Sequence, residues 1–323
     1  MKHFVVIASF AAVLLFPSAL PRPARAGQEM HLAVFGAGTL AVPFRALDKL
    51  FERRHPGVVV QPEFGGSVML ARRITDLHRR ADVFAVADYH VIPKYLFGAE
   101  GAKSYANWYV GFAGNAITFA YTAKSRYAGD ITAENWYKVL ARPGVEIGRS
   151  NPNTDPSGYQ MLQMLSLAAK FYRDPKLAAG VLANAPLTNM RDTETALLSA
   201  LELGQIDYLA IYRSDAMQRG LQYLHLPARI DLSDPADAAL YEAGIAETKA
   251  GTLHGKPIVY AVTIPTNASQ PALAAQYVEL LLSPDGQAIM ARDGFRVIDP
   301  AYGVHRAAMP QAMAAKLAPW PAW

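Results

Sequence analysis

Along this chain, short apolar runs rich in β-branched and aromatic residues alternate with longer amphipathic stretches, and turns of small residues separate the two. Residues 31–35 read as a strand, Gly36 to Thr39 as the turn that follows, and residues 40–55 as a helix carrying Phe44, Leu47 and Phe51 on one face. Pro43 suits the first turn of that helix, where a missing N–H costs nothing. Residues 58–64 form the next strand pattern, passing through Gly65, Gly66 and Ser67 into a helix to about residue 78, and residues 82–86 form another strand. This βαβ order predicts a mostly parallel α/β sheet, which takes ligands at the carboxyl ends of its strands, where these turns lie.

Two extended runs stand far apart, at 116–121 and 257–264, and suit a pair of crossover strands between two lobes. Between them lies a second α/β unit, with a helix over 156–171 and a strand over 206–212. Beyond the second run, helices over 271–282 and 284–292 are expected to pack back on the first lobe. The expected division is lobe one at 27–113 with 258–323, and lobe two at 114–257, preceded by a leader at 1–26.

That leader has a basic start at Lys2 and His3, an apolar run too short to span a bilayer, and Ala24-Arg25-Ala26 before Gly27, the pattern of a cleaved export signal. The 323-residue chain contains no cysteine, which removes any lipid attachment point and any disulfide framework. A soluble periplasmic protein, monomeric, is expected. Losing Lys2, Arg22 and Arg25 with the leader leaves 28 basic and 27 acidic residues. That balance argues against nucleic acid and against a polybasic membrane anchor.

Catalytic patterns are absent. There is no H-E-x-x-H, the eight histidines lack metal-ligand spacing, and Gly255-Lys256 runs into Pro257 rather than forming a phosphate loop. Ser67 lacks the second glycine of a nucleophile elbow. A binding protein without a cofactor is favoured over an enzyme.

The positive features are helix starts. Gly38, Thr39, Gly66 and Ser67 offer unhindered amides and two hydroxyls where the helix dipole favours an anion, although the same residues can simply cap helices. In Asn151-Pro-Asn-Thr-Asp-Pro-Ser-Gly-Tyr159 the acidic Asp155 precedes Pro156, so it either caps the helix or reaches a ligand. Glu194 lies in the first turn of a helix expected to run to residue 203, with the same two roles open. Tyr212, near the end of its strand, can donate to an anion or fill the core.

Taken in order, Gly36-Ala-Gly-Thr-Leu40, Gly65-Gly-Ser67, Ala87-Asp-Tyr89, Asn107-Trp-Tyr109, Asn135-Trp-Tyr137, Asn151 to Tyr159, Gly204-Gln-Ile-Asp-Tyr208, Ile211-Tyr-Arg-Ser214 and Gly255-Lys-Pro-Ile-Val-Tyr260 resemble the molybdate/tungstate-binding proteins of ABC importers, in their archaeal-type branch. The resemblance covers nearly the whole chain after the leader. It implies a type II periplasmic-binding fold, in which two α/β lobes joined by two crossover strands close on a tetraoxoanion and deliver it to a membrane permease and its ATPase. It also implies that Asp155 and Glu194 reach the molybdenum or tungsten itself and raise its coordination from four to six. Thr39 stands where serine is usual, and Thr154 where aspartate is common. Receptors for sulfate, ferric ion or a small organic anion, or an enzyme on the same fold, are the alternatives.

Overall fold

The computed structural model describes Met1, residues 29–98 and residues 103–322. Apart from Met1, the expected leader lies outside the described residues. No described helix is long and apolar enough to cross a membrane.

Two sheets organise the chain. The larger has seven strands in the order Ala318–Pro319, Arg296–Val304, Tyr109–Gly114, Val259–Thr263, Val83–Val86, Met30–Ala37, Val58–Gly65. The smaller has five, in the order Met190–Arg191, Ile147–Ser150, Tyr208–Tyr212, Ile117–Tyr121, Gln222–Tyr223. The chain crosses from the larger sheet to the smaller between Gly114 and Ile117 and returns just before Val259. The crossings run side by side, Asn115 N–H donating to the Ile258 carbonyl at 3.3 Å.

The larger sheet is mixed, not mostly parallel as its βαβ start predicts. Met30–Ala37 is parallel to both of its neighbours. Val259–Thr263, however, returns from the other lobe and enters between Val83–Val86 and Tyr109–Gly114 antiparallel to both. A strand arriving from a crossover rather than a local helix is not bound by the right-handed βαβ rule that keeps neighbours parallel.

Helix formation follows the apolar spacing. Ala41–Arg54 buries Phe44, Leu47 and Phe51, each worth roughly 1.5–3 kcal/mol relative to exposure. Phe44 and Phe51 both meet the Tyr277 ring edge-on, at 6.1 and 5.2 Å, which ties this helix to Pro271–Leu282. The helices Pro156–Phe171, Pro271–Leu282 and Pro284–Arg292 each begin with proline at a first-turn position. The helix expected to reach residue 78 stops at Thr75, and His78 takes a left-handed φ of 53°.

Candidate functional site

The loop before helix Pro156–Phe171 is shaped by Asn151. Its side-chain oxygen accepts from Asn153 N–H at 3.0 Å, and its carbonyl accepts from Thr154 and Asp155 N–H at 3.1 and 3.0 Å. These bonds turn the chain so that Asp155 stands at the helix N-cap with extended φ and ψ of −141° and 132°. Yet the Asp155 side chain makes no capping hydrogen bond. Its Oδ2 accepts from the Ser157 hydroxyl at 3.0 Å.

Glu194 opens the 3-10 turn Glu194–Leu197, where capping falls to its neighbour: Thr193 Oγ1 accepts from Ala196 N–H at 3.3 Å. The Glu194 carboxylate turns inward, and its Oε2 lies 2.8 Å from the Ser157 hydroxyl. Ser157 therefore bridges two carboxylates, with Ser150 Oγ 2.5 Å away on its other side. Asp155 and Glu194 are 4% and 2% exposed, and neither forms an ion pair with a lysine or arginine among the described residues. Burial, and the Glu194 charge beside it, push the Asp155 pKa well above the usual carboxylate range.

The expected helix over 194–203 divides into that 3-10 turn and a short α-helix, Leu198–Glu202. The tight first turn lets Glu194 point toward Ser157 rather than along the helix surface.

From the larger-sheet lobe, the turns at Gly38 and Gly66 press against these elements. A Cβ at Gly66 would lie 2.4 Å from the Thr154 carbonyl oxygen, and one at Gly38 would lie 3.0 Å from Thr195 Oγ1. At Gly66 the neighbour is backbone, so only glycine allows so close an approach; at Gly38 the contact would be tight against a side chain. The Thr154 carbonyl also accepts from Met69 N–H at 3.1 Å. Ser67 Oγ accepts from Ala87 N–H at 3.1 Å, which leaves its own proton to donate. Thr39 Oγ1 lies 2.9 Å from the Tyr260 hydroxyl, to which Asn115 donates at 3.3 Å. Tyr212 packs edge-on against Tyr260 at 5.8 Å and donates its phenolic proton to Gln160 at 2.6 Å. Burial dominates the raised pKa of Tyr212 and Tyr260, and the charge of Glu194 adds to both. The turns at Gly38-Thr39 and Gly66-Ser67 thus face the segments that carry Asp155 and Glu194 across the boundary between the lobes, and Tyr212 joins them through Tyr260.

Three further residues of this region have no role that the sequence assigns: Ser157 and Tyr260 lie inside the motifs Asn151 to Tyr159 and Gly255 to Tyr260 without standing out there, and Asp215 lies outside every motif. Ser157, Tyr260 and Asp215 are an ordinary helix serine, a strand tyrosine and a helix aspartate until folding brings them together. Asp215 is 4% exposed, its Oδ2 accepts no hydrogen bond among the described residues, and burial together with Glu194 raises its pKa. Asp88, in the loop after strand Val83–Val86, also links the lobes. Its Oδ2 accepts from the Tyr159 hydroxyl at 2.6 Å, and its Oδ1 accepts from His90 N–H at 2.9 Å. Burial alone would raise the Asp88 pKa, but His90 and Tyr159 hold it below the usual value.

Two α/β lobes joined by two side-by-side crossings are the type II periplasmic-binding fold, an architecture of solute receptors. A sequence profile described as bacterial extracellular solute-binding protein matches residues 32–296, and the chain belongs to that family. It is 39% identical over 289 residues to a solute-binding protein of Petrotoga mobilis, covering 88% of each chain. It is 37% identical over 303 residues to the molybdate/tungstate-binding protein WtpA of Thermococcus kodakarensis, covering 84% of each. Among solved structures, the periplasmic molybdate-binding protein of Azotobacter vinelandii superposes with a TM-score of 0.59 at 20% identity, over 82% of this chain and 98% of that one. The sulfate-binding protein SubI of Mycobacterium tuberculosis gives 0.57 at 16%, over 90% and 92%. At such identities the two structures speak for the fold alone.

Proposed function

We propose that this protein is an exported receptor that captures tungstate or molybdate in the chamber between its lobes and passes it to an ABC permease and its ATPase. Asp155 and Glu194 would be direct ligands of the metal, and Gly38, Thr39, Gly66 and Ser67 would supply neutral donors to the oxo groups. Tyr212 would contribute a proton only by releasing Gln160. The observation that carries this reading is the pairing of two buried carboxylates on one serine hydroxyl, with no lysine or arginine ion-paired to either among the described residues.

Such a pair repels any ordinary anion by several kcal/mol in a poorly screened site. Molybdenum(VI) and tungsten(VI) are hard, highly charged centres that accept further oxygen donors, whereas sulfur in sulfate and phosphorus in phosphate do not readily do so. The carboxylates would therefore reject the abundant anions and hold the rare ones. The similarity to a protein named for molybdate and tungstate supports the same ligand, and a periplasmic location agrees with the family. A receptor role, rather than an enzyme's, agrees with the family.

The test is binding of tungstate, molybdate, sulfate and phosphate to the leaderless protein, followed by X-ray absorption of the loaded form. Tungstate and molybdate should each raise the melting temperature at one equivalent while sulfate and phosphate do not, and the metal should show six oxygen neighbours. An equal response to all four anions would refute the reading.

A further inference from the structure

A second crevice, of about 300 Å³, lies between the lobes on the outer side of the Asn151 loop and contains neither Asp155 nor Glu194. One wall belongs to the larger-sheet lobe and carries Arg72, Lys94 and Tyr95. The Arg72 guanidinium stands 5.8 Å from the centre of the Tyr95 ring and the Lys94 ammonium 6.0 Å from it, so two cations gather around one aromatic ring. Neither has a carboxylate within ion-pair reach among the described residues. The opposite wall is the hairpin of Ile245–Thr248 and Gly251–His254. That hairpin is anchored on both sides: Lys249 N–H donates to Asn153 Oδ1 at 2.8 Å, and Lys94 Nζ reaches the Ala250 carbonyl at 3.5 Å.

The other charges facing the space are already matched. Lys256 pairs with Glu242, and Asp88 is held by His90 and Tyr159. His254 Nδ1 bonds the Glu242 carbonyl at 2.9 Å. Among the described residues, Arg72 and Lys94 are left without a carboxylate partner, beside the buried Val68 and Val91. An apolar pocket of this size with a few convergent polar groups is what a small organic ligand occupies.

We propose that this crevice is a second binding site, for a small organic anion whose carboxylate or phosphate head sits between Arg72 and Lys94 and whose aromatic or short apolar body lies against Tyr95 and Leu253. Arg72 offers a planar fork to the head and Lys94 a point charge, a combination suited to either oxyanion. The occupant touches both lobes at once. It therefore favours the closed arrangement over an open one in which the two walls separate, and each occupied site promotes closure for the other. This inference stands whether or not the inner chamber takes tungstate.

Phenyl phosphate, benzoate and inorganic phosphate, titrated calorimetrically into the leaderless protein at low salt, test it. At least one of the two aromatic anions should bind with a Kd below about 1 mM, at least ~10-fold tighter than inorganic phosphate, and weaken with added salt. Whichever aromatic anion binds more tightly names the head group. The double variant Arg72→Ala/Lys94→Ala should lose that affinity ~10-fold or more, and Ala250→Trp, which fills the crevice from the hairpin and keeps both cations, should weaken it as well. Absence of binding by both aromatic anions, inorganic phosphate binding as tightly as they do, or unchanged affinity in both variants would each overturn the proposal.

Discussion

The Tyr159 hydroxyl donates to Asp88 at 2.6 Å, from the first turns of helix Pro156–Phe171 to the loop after strand Val83–Val86. This bond joins the two lobes and exists only while they are closed. A hydrogen bond to a charged acceptor contributes about 1.5–3 kcal/mol. Tyr159→Phe is therefore expected to release bound tungstate at least ~10-fold faster, with a smaller change in its association rate. Stopped-flow displacement measures both, and an unchanged release rate would show that the bond does not hold the closed state.

Asp155 stands at an N-cap but does not cap. Replacing it relieves a buried charge beside Glu194, so Asp155→Asn is expected to raise the melting temperature of the ligand-free protein by a few degrees, corresponding to ~1 kcal/mol or more. The same variant should lose at least ~100-fold in tungstate affinity. A capping residue would give the opposite pair of results, lower stability with binding kept.

Gly66 leaves no room for a side chain, because a Cβ would lie 2.4 Å from the Thr154 carbonyl across the cleft. Gly66→Ala should leave each lobe folded, as judged by circular dichroism, while tungstate binding weakens by ~10-fold or more. Small-angle scattering of the loaded variant should show a larger radius than that of the parent. Equal radii and affinities would mean that this contact is not needed for closure.

Asp48 gives a pH dependence remote from the chamber. Its Oδ1 accepts from Tyr277 at 2.6 Å while its buried Oδ2 accepts no hydrogen bond among the described residues. Burial raises its pKa from 3.8 to about 6. A carboxyl with a raised folded-state pKa stabilises fully below its unfolded value, and that contribution disappears as pH rises through about 6. The parent protein should lose on the order of 3 kcal/mol from this group between about pH 4 and pH 7.5. Urea unfolding of Asp48→Asn should lack that part of the decline. If the two pH profiles run parallel, Asp48 does not titrate as its surroundings imply.

Local pattern made much of the scaffold legible. Pro156–Phe171, Pro271–Leu282 and Pro284–Arg292 start at prolines visible in the sequence, and the face bearing Phe44, Leu47 and Phe51 follows from helical spacing alone. Strand Arg296–Val304 was not legible, because Asp299 and Pro300 interrupt it and its pairing with Tyr109–Gly114 slips between Val297 and Tyr302. The hairpin at Ile245–Thr248 and Gly251–His254 is short and partly exposed, so it lacks the apolar run that marks a strand.

The sequence by itself determined the candidate chemistry: an acid in a small polar loop, a second acid thirty-nine positions later, and glycine-hydroxyl turns at two helix starts. It left each acid with two roles, since a cap and a ligand have the same local signature. Only the tertiary structure decided which capping bonds are made, with Thr193 capping its own turn while Asp155 and Glu194 meet at Ser157. That meeting depends on contacts between segments far apart in the chain, which no local periodicity encodes. The same long-range packing removed water from both carboxylates, a burial that neither acid's local sequence signals.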